Sequence, residues 1–212
     1  MTKAEIDELG KIYDNEYENP KSFECRYDDL STHQCYSLIR HLKPVNVLAI
    51  GTWYGGSTCM IMSALKKNEQ PFHYMASELL PALQLETTKN CLQLCSHSPQ
   101  MVGDITKNFD YFPGQIDFLF VDTDHDLKTT QFIVERIFPR LLPSALVAIH
   151  DWAVEDVNGK WIGKGANGVG GWEETNYLMG LHTEGKLPLE KLFWNYHNSG
   201  GEEASFWFYK PL

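Results

Sequence analysis

The sequence predicts an α/β domain: a mostly parallel, seven-stranded sheet flanked by helices and closed by an antiparallel C-terminal hairpin. Three observations carry this expectation. From Val45 onward, short apolar runs alternate with segments of helical periodicity, the pattern of a parallel sheet wrapped by helices. The run Val47-Leu48-Ala49-Ile50 ends in Gly51-Thr52-Trp53-Tyr54-Gly55-Gly56-Ser57-Thr58, a glycine-punctuated turn that opens onto such a segment. Two later apolar runs, 116–121 and 145–149, end in clusters of Asp and His.

Taken in order, strands are expected at 45–50, 73–77, 100–102, 116–121 and 145–149, where apolar residues run without a helical period. Helices are expected at 57–67, 82–95, 127–139 and 173–181, with Ser57 and Thr58 in the N-cap region of the first and Asp126 capping the third. Leu189–Trp194 and Ser205–Tyr209 form the closing hairpin around 195–201, a stretch rich in Asn, Ser and Gly. Residues 1–44 read as a helical lead-in, with helices at 3–15 and 31–42 and Asp29 or Ser31 capping the second; residues 45–212 read as one domain. The segment Asn158–Gly171 holds six glycines and no apolar period, so it reads as a loop of the kind that covers functional sites.

Bulk properties narrow the function. A chain of 212 residues suits one α/β domain with a real core. No apolar run approaches the roughly 20 residues needed to cross a bilayer, and the polar, acidic start is neither a signal nor a transit peptide. A formal charge of −10 argues against nucleic acid or an anionic membrane as partner, because phosphates need a basic face. Five cysteines, an odd number, fit a reduced, cytoplasmic chain. Cys91 and Cys95 would share a helix face, as a metal pair or, more simply, as small buried hydrophobes.

In an open parallel sheet, ligands bind at the carboxyl edge of the strands. That edge would bring Gly51 together with Asp122-Thr123-Asp124-His125 and His150-Asp151. Gly51, Gly55 and Gly56 let the backbone bend and come close to a ligand. Carboxylates at adjacent strand ends repel one another unless a proton or cation sits between them. Oxygen ligands favour Mg²⁺ or Mn²⁺, and an imidazole from His150 tilts the choice toward Mn²⁺ or another transition ion.

The order of these motifs resembles the class I S-adenosylmethionine-dependent methyltransferases. The glycine turn comes first, then Glu78 at the end of the next strand, Gly103-Asp104, Asp122-Thr123-Asp124-His125, and His150-Asp151-Trp152. Within that superfamily the chain most resembles the metal-dependent O-methyltransferases of sugar hydroxyls on natural products, and more distantly catechol O-methyltransferase. The resemblance covers roughly residues 44–152. It implies a Rossmann-like methyltransferase fold and S-adenosylmethionine as cofactor. Gly51, Thr52, Trp53, Tyr54, Gly55 and Ser57 would pass its methionine part, Glu78 would accept from the ribose hydroxyls, and Asp104 would lie beside the adenine. Asp122 would face both cofactor and metal, with His150 and Asp151 as the other metal ligands. His125 stands where relatives place the general base, and Asp124 competes for that role. Relatives carry an acidic residue two before the first glycine of the turn; this chain has Ala49. Trp53 and Tyr54 could pack over the methionine instead, and Trp152, Trp161 and Trp172 could cover the site.

The implied reaction is direct displacement, in which a substrate hydroxyl takes the sulfonium methyl and S-adenosylhomocysteine leaves. A small hydroxylated molecule is the expected partner: a sugar, a catechol-like phenol or a polyol. The lead-in leaves a homo-oligomer open. Three other readings stand beside it. Asp122-Thr123-Asp124 is also the Asp-x-Asp of Mn²⁺-dependent glycosyltransferases, although basic residues for two phosphates are not evident. A non-catalytic cofactor-binding module would fit Ala49. A nicotinamide dehydrogenase fits less well, because the turn lacks Gly-x-Gly-x-x-Gly.

Overall fold

The computed structural model describes residues 2–13, 16, 29–95, 97–150, 154–155, 161–162, 173–199 and 202–212. Two helices lead in, α1 (Lys3–Tyr13) and α2 (Asp29–Leu42). Five strands then alternate with helices: β1 (Asn46–Ile50), α3 (Gly56–Lys67), β2 (His73–Ser77), α4 (Pro81–Cys95), β3 (Gln100–Val102), α5 (Ile105–Asn108), β4 (Ile116–Val121), α6 (Leu127–Phe132) and β5 (Leu141–His150). A short ribbon of β6 (Val154–Glu155) and β7 (Trp161–Ile162) precedes α7 (Glu173–Thr183), and β8 (Leu189–Ser199) with β9 (Glu202–Pro211) forms the terminal hairpin.

The main sheet has seven strands in the order β3-β2-β1-β4-β5-β9-β8. The first five are parallel, while β9 runs antiparallel to both β5 and β8. The predicted architecture and hairpin are therefore both present. The order reverses between β1 and β4, and such a switch opens a crevice at the carboxyl ends of the two strands.

Side chains alternate across the sheet. Val47, Ala49, Phe118, Phe120 and Ala148 enter one core, shared with Cys59, Ile61 and Leu65 of α3 and with Ile6, Tyr36 and Ile39 of the lead-in helices. Leu48, Ile50, Leu119, Val121, Val147 and Ile149 enter the other, shared with Phe109, Ile133, Ile137 and Leu178. Both faces being covered, the strands read as continuous apolar runs.

Several local expectations are corrected. The cap of α3 is Gly55, left-handed at φ 92 with no side-chain cap bond, and not Ser57 or Thr58, which are buried inside the helix. The helix expected over 127–139 is regular only to Phe132, then widens to a π turn over Ile133–Ile137 and tightens to a 3₁₀ turn over Phe138–Arg140. Pro139 has no N–H to donate and its ring crowds the carbonyl four residues back, so the α ladder cannot run through it. Strand β5 begins four residues early at Leu141, and its register against β4 jumps from the pair Ile116–Leu141 to the pair Phe118–Leu146. The glycine-rich loop contributes the two-residue β7. Asp126 does cap α6, accepting the Thr129 amide at 2.9 Å. The side chains of Asp29, Ser31 and Cys95 lie outside the described residues. Cys91 is buried with its Sγ 3.1 Å from that of Cys59, joining α3 to α4.

Candidate active site

A cavity of about 710 Å³ lies at the carboxyl edge, over the ends of β1, β2, β4 and β5. Gly51, Thr52, Trp53, Tyr54, Glu78, Asp104, Asp122, Asp124, His125 and His150 all line it, residues spread over a hundred positions of sequence. The parallel ladder brings them together. Gly51 donates its amide to Ser77 at 2.9 Å and Asp122 donates to Ile50 at 2.8 Å, so the turns after β1, β2 and β4 leave the sheet side by side.

The first wall is the glycine turn. Gly51 has φ +82, and a Cβ there would stand 1.6 Å from the Asp122 carbonyl oxygen, so only glycine lets β1 pass β4. Trp53 is also left-handed at φ 47, which costs a non-glycine residue of order 1–3 kcal/mol and has to be held by its surroundings. The Glu78 carboxylate does so. Its Oε2 accepts the amides of Thr52 at 3.3 Å and Trp53 at 3.0 Å, and its Oε1 accepts that of Leu80 at 3.1 Å. Behind the turn, Thr87 donates to the Trp53 carbonyl at 3.0 Å and Asn90 to the Tyr54 carbonyl at 2.9 Å. Sequence reasoning missed these two α4 residues, which stand three apart and so share one face of the helix. Trp53 is 51% exposed, and with Leu79 and Leu80 it gives this wall an apolar lip.

Asp104 closes the adjoining corner. It caps α5, accepting the Thr106 amide at 3.0 Å, and pairs with Lys107 at 2.9 Å. The Thr106 hydroxyl, ahead of the Lys107 charge, holds its carboxyl below the usual range against the opposing effect of partial burial.

The opposite wall carries the acids and imidazoles. Asp122 and His150, at the ends of β4 and β5, meet at 3.0 Å between Oδ1 and Nδ1. His125 is left-handed at φ 58 and its Nδ1 bonds Glu174 Oε2 from α7, a pair with both side chains buried. Asp124 stands exposed on the same loop. Glu174 is the residue that sequence reasoning lacked entirely: it lies 49 positions from His125, with no local spacing to connect them.

Two predicted residues stand elsewhere. Gly55 lies behind the turn, where a Cβ would press on Thr87 at 3.0 Å, and Ser57 is buried in α3; neither lines the cavity. Asp151 lies outside the described residues, as do Trp152 and Trp172. Ala49 is fully buried in the core and lies apart from the cavity wall. Among the described residues no group of three or more His, Cys, Asp or Glu could hold a metal ion, and no Lys or Arg lines the cavity. Among them, too, no helix is long and apolar enough to cross a membrane.

The cavity combines an apolar lip, a backbone turn and carboxylates, with no lysine or arginine among its described lining residues. A family described as a methyltransferase domain matches residues 48–152. The O-methyltransferase of Bacillus cereus in complex with S-adenosylhomocysteine superposes with a TM-score of 0.68 at 11% identity, over 100% of this chain and 92% of that one. The O-methyltransferase of tomaymycin synthesis from Streptomyces achromogenes, in complex with S-adenosylmethionine, gives 0.64 at 15%, over 97% and 88%. The S-adenosylhomocysteine-bound methyltransferase of Podospora anserina gives 0.61 at 11%, over 100% and 89%. A search of curated proteins finds no match. Residues 48–152 match a methyltransferase domain, and the chain shares its fold with these solved methyltransferases.

Proposed function

We propose that the methyl acceptor is a hydroxyl oxygen of a small molecule, a sugar moiety or a catechol-like ring, and that a divalent cation assists the transfer. One observation carries the reading: a single cavity faces a glycine turn pinned by Glu78 on one side and the Asp122–His150 and His125–Glu174 pairs on the other. When bound, S-adenosylmethionine supplies a sulfonium methyl group, and a Mg²⁺ or Mn²⁺ ion supplies positive charge that makes a hydroxyl more acidic.

The turn from Gly51 to Tyr54 orients the methionine part, its amides held outward by Glu78 and its carbonyls by Thr87 and Asn90. Asp122 and His150, with Asp151, are the residues that would hold the cation; the two described ones already stand within hydrogen-bond reach of each other. His125 takes the hydroxyl proton on the opposite side, with Asp124 as the other acceptor within the same loop. Fixing the acceptor oxygen in line with the methyl group is itself worth several kcal/mol of barrier, on the order of 7–11 in favourable cases.

Calorimetric titration with S-adenosylhomocysteine, with and without Mg²⁺ or Mn²⁺, tests the reading. Binding that Glu78→Ala weakens supports it and opens a screen of hydroxylated acceptors. A folded protein that binds no S-adenosylhomocysteine under either condition overturns it. Cofactor binding with no metal-dependent transfer to any hydroxyl would favour the non-catalytic module.

A further inference from the structure

We propose that Glu174, at the start of α7, is the positioning residue that makes His125 a proton acceptor toward the cavity. The inference rests on the methyl-transfer reading above and adds a residue from outside the methyltransferase domain to it.

The geometry is specific. An ionised carboxylate can only accept hydrogen bonds, so the His125 nitrogen that meets Glu174, Nδ1, carries the proton. In the neutral ring the lone pair then resides on Nε2, the nitrogen that would receive a proton from a substrate hydroxyl. Glu174 is 2% exposed and His125 is 9% exposed, so the pair is shielded from water that would otherwise compete for it. A carboxylate this buried has to be paired, and His125 is the partner the fold supplies.

The backbone repeats the connection. Glu174 donates its amide to the His125 carbonyl at 3.2 Å, and Glu173 accepts the Leu127 amide at 3.4 Å. On the other side the His125 amide donates to Thr123 Oγ1 at 3.3 Å. The start of α7 therefore holds the loop between β4 and α6 at His125 and Leu127, while Thr123 braces His125 from within the loop. That grip accounts for the left-handed φ of 58, which a histidine would not hold unaided. Asp124 and Asp126 flank His125 on its own loop and Glu173 and Glu174 come from α7; Glu174 bonds the ring.

The arrangement divides the labour between two carboxylates. Asp124 is exposed and close in sequence, whereas Glu174 is remote in sequence, buried, and bonded to the ring. A base held in one tautomer and one rotamer needs no reorganisation when the hydroxyl arrives.

The test uses full-length protein labelled with ¹⁵N-histidine, long-range ¹H–¹⁵N NMR to read the His125 tautomer and titration midpoint, and calorimetry with S-adenosylhomocysteine. The wild-type neutral ring is expected to carry its proton on Nδ1. Glu174→Gln is expected to lower the His125 midpoint by about one pH unit or more, because it removes the charge that favours imidazolium, and to leave S-adenosylhomocysteine affinity within about twofold. A wild-type ring protonated on Nε2, or an unchanged midpoint in a folded Glu174→Gln protein, overturns the proposal. The wild-type spectrum decides the tautomer even if the variant does not fold. Should the Nδ1–H tautomer be found while wild-type protein binds no S-adenosylhomocysteine, the cofactor reading falls, and with it the role of the pair in methyl transfer.

Discussion

Glu78 reaches from the end of β2 to accept the amide of Trp53, in the turn that follows β1, at 3.0 Å. The same oxygen takes the Thr52 amide, and its neighbour takes that of Leu80. A residue expected to offer its oxygens to a ribose is thus also the clasp of the turn beside it. Both uses need a carboxylate with several lone pairs.

Glu78→Ala should accordingly do two things at once. Three amides lose their acceptor, which costs about 1–3 kcal/mol for each one that water cannot reach. Urea unfolding should show a lowered midpoint, and calorimetry should show S-adenosylhomocysteine affinity reduced at least tenfold. A variant as stable as wild type would mean that the clasp carries no weight.

Gly51 and Gly114 form an internal control for backbone and steric effects. Both are left-handed, at φ 82 and φ 77, but a Cβ at Gly51 would meet Asp122 at 1.6 Å while one at Gly114 would meet nothing within 4 Å. Gly114→Ala should cost only the left-handed penalty of about 1–2 kcal/mol. Gly51→Ala should exceed it by several kcal/mol or prevent folding, as severe overpacking does. Equal losses in denaturant melts would contradict the close passage of β1 and β4.

His150 and Asp122 invite a metal measurement that needs no acceptor substrate. Electron paramagnetic resonance of added Mn²⁺ should report binding that His150→Ala weakens at least tenfold, within the range typical of lost ligands or their partners. Chelation should then abolish transfer once an acceptor is known, leaving S-adenosylhomocysteine binding in place. Mn²⁺ binding untouched in His150→Ala would leave the pair as a hydrogen bond alone.

Asp104 sets a pH dependence. Its folded carboxyl is held below the usual value of 3.8, first by the Thr106 hydroxyl and then by Lys107. A depressed folded-state value means that its contribution is fully present above the unfolded value and is lost as pH falls through the folded one. The stability gap between wild type and Asp104→Ala should be about 1 kcal/mol at neutral pH, the usual worth of an N-cap. It should narrow below about pH 4. A gap that stays constant down to pH 2 would show that the charge of Asp104 plays no part.

Most of the architecture was legible from apolar runs and glycine turns, because a strand buried on both faces and a helix with one apolar stripe leave periodic marks that survive without any contact information. The turn at 51–58, the acid at Glu78 and the Asp and His residues at the ends of β4 and β5 were legible for the same reason: each sits at a boundary between periodic segments. The cap of α3 was not, since Ser and Thr after glycines look like caps whether they face solvent or core, and here the core claims Ser57 and Thr58. The early end of α6 had a visible cause in Pro139, whose effect on the ladder depends on how the chain turns into β5.

What the linear order could not contain is any relationship that spans elements without a shared period. The bond between His125 and Glu174, the thiol contact of Cys59 with Cys91, and the grip of Thr87 and Asn90 on the glycine turn join residues on different elements, 49, 32, 34 and 36 positions apart, beyond the span of any one element's period. Local composition settled the kind of fold and the edge at which chemistry gathers. Packing of α4 and α7 against that edge settled which side chains hold the turn and the imidazole, because only a folded chain converts distance along the sequence into contact across it.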